Sequence, residues 1–143
     1  MTGKRRGLRI ALVYDRVYPW LIGGGEKSLA ELADLLRDAG HEVHVFGMKL
    51  WNGPDRIVRD GVELHGVMPA PALYDERGNR VLLQPVRFGW HLLRYLNRLG
   101  LRFDVIDCTV FPYFSVLAVW LHGALTGTPV VLTWLEVWGR EYW

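Results

Sequence analysis

Residues 8–15, LRIALVYD, form a nearly continuous apolar run rich in strand-forming residues. A run of this kind is the mark of a strand covered on both faces. The segments that follow alternate in the same sense. Residues 25–40, GEKSLAELADLLRDAG, place Leu29, Leu32, Ala33, Leu36 and Ala39 on one helical face, with Gly40 where a C-cap belongs. HEVHVFGMK (41–49) alternates as a strand, and GVELHGV (61–67) reads as a shorter one. Residues 68–81 are a loop containing prolines and charges. LQPVRFGWHLLRYLNRLG (83–100) is helical in pattern, with Pro85 tolerated near its start. FDVIDCT (103–109) is a fourth strand, PYFSVLAVWLHGALTG (112–127) a hydrophobic helix and PVVLTWLE (129–136) a fifth strand. Strands alternating with helices imply right-handed crossovers and a mostly parallel sheet. The expected fold is a Rossmann-like, doubly wound α/β domain spanning residues 1–143, without internal repeat or linker.

Composition supports a folded domain. Of 143 residues, 50% are hydrophobic and 22% charged, which argues against disorder. The formal charge of +2 leaves no nucleic-acid footprint. The single cysteine, Cys108, has no internal partner, and a reducing cytoplasm is the corresponding expectation. The basic start, MTGKRRG, precedes only a short apolar run that meets Asp15 and Arg16 without a cleavage site. The longest apolar region, 111–138, is broken by His122 and by the Gly127–Pro129 segment, leaving pieces shorter than the ~20 residues a membrane span needs.

In such a fold, ligands bind beyond the carboxyl ends of the strands, which directs attention to residues 15–25, 108–112 and 133–138. The first of these carries YPWLIGGGEKSLAEL (18–32). A dinucleotide fingerprint would need glycine where Ser28 stands, and a P-loop is broken by Glu26 between Gly25 and Lys27. Two readings remain for Gly23, Gly24 and Gly25. Either they let an anion approach the backbone at a helix N-terminus, or they form a tight turn with positive φ and no ligand. Glu26, in the first helical turn, suits the helix dipole.

Other polar residues are less specific. His41, His44, His65, His91 and His122 show no metal-ligand spacing, and no metal or cofactor is expected. His44 and His65 are read as ordinary surface or half-buried strand residues. Cys108 reads as a buried small hydrophobe rather than a nucleophile. Asp15 and Asp107, at strand ends, either hydrogen-bond acceptor hydroxyls or cap neighbouring backbone. Arg87, His91, Arg94 and Arg98 form a basic stripe beside an apolar face of Phe88, Leu92, Tyr95, Leu96 and Leu99. That helix either lies on an anionic membrane surface or packs on the core with a solvated edge.

Pro19 followed by Gly23–Glu26, after LRIALVYD, resembles the P-x-x-x-G-G-x-E loop of family-4 glycosyltransferases, which are retaining, nucleotide-sugar-dependent enzymes of GT-B architecture. The similarity continues through FDVIDC, FPYF and PVVLTW. It implies two Rossmann-like domains facing across a cleft, with this chain as the acceptor-side half. By that resemblance Gly23, Gly24, Gly25 and Glu26 contact the donor's phosphate and sugar, and Asp15, Arg16, Thr109, Phe111 and Glu136 lie on the acceptor side. The family's T-x-H-[DE] pattern reads here Thr133, Trp134, Leu135, Glu136. Leu135 therefore stands at the usual histidine position and can make no hydrogen bond there.

The chain stops at EVWGREYW, short of the family's nucleotide-binding domain. The expectation is a half that is inactive alone and needs a complementing C-terminal half. The rival is a non-catalytic binding or scaffold domain that kept the fold. Implied partners are a nucleotide-sugar donor and a sugar or lipid-linked acceptor, at the inner membrane face in the latter case. A second copy could dock through Trp134, Trp138, Tyr142 and Trp143.

Overall fold

Nine elements carry the chain across a single sheet in the computed structural model, which describes residues 6–71, 83–111 and 113–135. Strand β1 (Arg9–Val13) leads to helix α1 (Gly24–Asp38) and strand β2 (Glu42–Lys49). A hairpin of β3 (Arg56–Arg59) and β4 (Val62–Pro69) follows, then α2 (Gln84–Leu99), β5 (Val105–Thr109), α3 (Tyr113–Thr126) and β6 (Val130–Thr133). The strand order is β3-β4-β2-β1-β5-β6. All neighbours pair in parallel except β3, which runs antiparallel to β4. The α/β, Rossmann-like half-domain is thus the observed architecture.

β3 is an addition to the five expected strands. Its hairpin turns on Asp60 (φ 49°) and Gly61 (φ 79°), and two consecutive positive φ values are what a two-residue type I′ hairpin demands. Arg37 of α1 donates to the Asp60 carbonyl at 2.5 Å, tying the hairpin to the helix. The last strand is shorter than expected, ending at Thr133. Helix α2 begins at Gln84, with Pro85 in its first turn, where a missing N–H costs nothing.

Two apolar layers cover the sheet. Below, α1 packs Ala33, with Leu29, Leu32 and Leu36, against Ile10, Leu12, Val43, Val45, Val62 and Leu64. Above, α2 and α3 bring Phe88, Leu92, Leu96, Ala118 and Val119 onto Ala11, Val13, Phe46, Met48, Ile106 and Cys108. Gly89 makes the upper layer possible, because a Cβ there would lie 2.7 Å from the Phe114 carbonyl oxygen. The basic stripe of α2 is exposed while its apolar face is buried, as a core-facing amphipathic helix requires. By contrast α3 is apolar nearly all round, and Leu117, Trp120 and Leu125 face outward. Among the described residues no helix is long and apolar enough to cross a membrane.

Candidate functional site

The chain leaves β1 at its carboxyl end through Tyr14, whose N–H donates to the Phe46 carbonyl at 3.1 Å. The Asp15 carbonyl then accepts from Met48 N–H at 3.0 Å, so the first two loop residues stay moored to β2. This exit lies at the point where strand order reverses, since β1→β2→β4 runs one way across the sheet and β5→β6 the other. A loop with Val17 buried carries the chain to Gly23, the N-cap of α1, which has extended backbone (φ −154°) and no side-chain cap.

None of Gly23, Gly24 and Gly25 has positive φ, which removes the tight-turn reading of the triplet. Their lack of Cβ serves close approach instead. A Cβ on Gly23 would fall 2.3 Å from the Glu26 carboxylate, and one on Gly25 would fall 2.7 Å from the Leu135 side chain and 3.1 Å from the Tyr14 hydroxyl. Gly24 faces open space and is exposed. The helix N-terminus is therefore fully open at one residue, flanked by two that are packed.

Glu26 is 4% exposed and folds back over the turn, where Arg16 meets it at 3.4 Å. Half-buried in the same turn region, Asp15 has its carboxyl pushed up to about 6; desolvation is the main cause, Arg16 opposes it and Glu26 adds to it. A carboxyl that changes charge so near neutrality can accept a hydrogen bond from a hydroxyl or hold a proton. A hollow of about 100 Å³ adjoins this cluster, running from Tyr18 and Glu26 along α1 to Asp34 and Arg59.

On the other side of the reversal, β5 and β6 end together. Thr109 is buried and stands opposite Thr133. The Thr133 hydroxyl donates to Asp107 at 2.7 Å, and Val110 N–H donates to the Thr133 carbonyl at 3.0 Å. Burial raises the Asp107 carboxyl, and the Thr133 hydrogen bond works against that rise. Asp107 is thereby tied across the strand pair. Phe111 is exposed with its ring edge-on to Tyr113, and Leu135 reaches back to Gly25. The glycine loop and the β6 exit therefore touch. Glu136, Trp138, Tyr142 and Trp143 lie outside the described residues. Cys108 is buried, and burial pushes its thiol up to about 12, which suits the apolar reading.

Sequence reasoning misjudged one cluster. His44 and His65 are wholly buried, not surface or half-buried residues. Their strands put them on the face opposite α1, with His44 opposite Ala11 and His65 opposite Phe46. The two rings lie 2.9 Å apart from His44 Nδ1 to His65 Nε2. Glu42 meets His44 Nε2 at 2.9 Å, Tyr95 meets His65 Nδ1 at 3.1 Å, and Glu63 stands 3.5 and 3.7 Å from the two facing nitrogens. The chemistry was visible as a repeated Glu-x-His, at Glu42–His44 and Glu63–His65, but only the parallel register, which sets His44 opposite Glu63, brings the two copies together.

A family model described as a glycosyl transferase 4-like domain matches residues 23–142. No curated protein matches the chain. The match covers most of the chain, which belongs to the glycosyl transferase 4-like domain family and has a glycosyltransferase-related role, with a sugar donor and an acceptor as its general substrate classes.

Proposed function

We propose that this glycosyl transferase 4-like domain is the acceptor-side half of a nucleotide-sugar-dependent transferase. In this reading a second, nucleotide-binding half faces the carboxyl edge of its sheet. The observation that carries the reading is the lip formed where the open N-terminus of α1 at Gly24 meets the β6 exit through Gly25 and Leu135. Backbone N–H groups at a helix start attract phosphate, and donors fixed there stabilise charge developing on a leaving diphosphate. In this reading Asp15, Arg16 and Phe111 face the acceptor, with buried Thr109 behind them, and Asp15 takes a hydrogen bond from an acceptor hydroxyl.

Half a cleft cannot align donor with acceptor, and alignment supplies about 7–11 kcal/mol of barrier lowering. The pure chain is therefore expected to transfer no sugar from a panel of nucleotide sugars, and a candidate second half is expected to restore transfer. Turnover by the chain alone would overturn this reading. If the acceptor is lipid-linked, the exposed stripe Arg87, His91, Arg94 and Arg98 lies against anionic lipid at the cytoplasmic face. Co-sedimentation that ignores anionic lipid content removes that part.

One contact favours a second reading, a binding domain that kept the fold without the chemistry. Leu135 fills the space against Gly25 with an apolar side chain, at the position where the family resemblance implies a histidine. Leu135→His, assayed with the second half present, separates the two. Under the first reading transfer rises or is unchanged, and under the second no transfer is seen with either residue.

A further inference from the structure

We propose that His44, Glu63 and His65 form a binding site for one divalent transition-metal ion of the zinc class, on the sheet face opposite α1. The three donor atoms come from two adjacent strands and converge on one point. His44 Nδ1 and His65 Nε2 stand 2.9 Å apart, and Glu63 Oε2 stands 3.5 Å from the first and 3.7 Å from the second. A tetrahedral zinc with bonds of about 2.0–2.1 Å holds its ligands roughly 3.3–3.4 Å apart. The observed separations bracket that value, and the imidazole pair needs to open by only a few tenths of an ångström.

The outer partners match a metal centre as well. A ligating histidine gives its other N–H to a carboxylate, a carbonyl or a similar acceptor, which fixes ring and tautomer. Here His44 Nε2 faces Glu42, which Arg9 holds at 2.8 Å, and His65 Nδ1 faces the Tyr95 hydroxyl. Without an ion the same atoms close a complete chain. Tyr95 donates to His65 Nδ1, His65 Nε2–H donates to His44 Nδ1, and His44 Nε2–H donates to Glu42, because a carboxylate only accepts. An ion replaces the middle link when His65 shifts its proton to Nδ1 and donates to Tyr95. Phe46, stacked on His65 at 4.4 Å, and Phe103, edge-on to His44, wall the site with carbon. Glu63 is partly exposed, which leaves a route for the ion and room for water as fourth ligand.

Arg56 sets the strength of the site. It grips Glu63 Oε2 through Nε at 2.6 Å and Nη2 at 2.5 Å, competing with an ion for the same oxygen. Arg56→Gln, on an exposed edge strand, is therefore expected to tighten binding several-fold.

The test is calorimetric titration of the whole chain with Zn²⁺ alone at pH 7.5, with Co²⁺ absorption as a spectroscopic readout. One ion per chain is expected, with the visible bands of a four-coordinate cobalt site. Glu63→Gln and His65→Gln are expected to weaken binding at least 100-fold, and Tyr95→Phe about 10-fold. His41→Ala and His91→Ala are expected to leave it unchanged. If His65→Gln fails to fold by circular dichroism, Glu63→Gln and Arg56→Gln decide, since they shift affinity in opposite directions. Absence of stoichiometric binding, or binding indifferent to both Glu63 and Arg56, overturns the site and leaves a hydrogen-bonded histidine pair only.

Discussion

At the residue scale, the three consecutive glycines are not equivalent, and their differences can be measured. Gly24 has ordinary φ and open space around it, so Gly24→Ala is expected to stabilise the fold by about 0.5–1 kcal/mol through loss of unfolded-chain entropy. Gly23→Ala drives a methyl into the buried Glu26 carboxylate and is expected to cost about 1–2 kcal/mol. Urea unfolding of both variants checks the opposite signs. Asp15 supplies a pH test. Its carboxyl moves from an ordinary 3.8 to about 6 in the fold, so the folded state binds more protons than the unfolded chain between those values. Its contribution is favourable below pH 4 and is lost as pH rises through 6. Asp15→Asn should thus match the parent below pH 4 and exceed it by ~3 kcal/mol above pH 7, read from denaturation curves across pH. The sequence showed that a glycine loop feeds a helix at the cleft edge. It could not show that Glu26 turns inward or that Leu135 meets Gly25, because both contacts join segments far apart in sequence or against the usual orientation of a charged side chain.

At the scale of elements, long periodic segments were legible. β1, β2, β5 and all three helices follow directly from apolar spacing, and each is observed within a few residues of its expected bounds. β3 was not. Arg56–Arg59 is short, with two of its four residues charged, and carries no alternation that outweighs its charge. The Asp60-Gly61 pair was the available signal, since that dipeptide suits the positive φ values of a type I′ turn. The paired histidines were hidden for a related reason. Register between two strands is a tertiary fact, and a one-residue slip would turn one histidine to the opposite face. Helix packing gives a prediction at this scale. The α2–α3 crossing depends on Gly89 lying under the Phe114 carbonyl, and backbone yields less readily than a side-chain tip. Gly89→Ala is expected to lose about 1–3 kcal/mol despite alanine's better helix propensity, as thermal or chemical denaturation would show.

Across the whole molecule, protection should follow position in the sheet. β1 and β2 lie at the centre with nearly every residue buried, whereas β3 and β6 form the edges and are largely exposed. Native-state hydrogen exchange is expected to be slowest in β1, β2 and β5 and fastest in β3 and β6. Equal protection in β6 and β1 would show that something further covers that edge.

The two edges also differ in character. β3 presents the long charged side chains Arg56 and Arg59, paired with Glu63 and Asp60, which a strand approaching that edge would have to displace. β6 presents Val131 and Leu132 in an otherwise parallel array. Among the described residues, the sheet therefore offers a further strand a single apolar border, at β6.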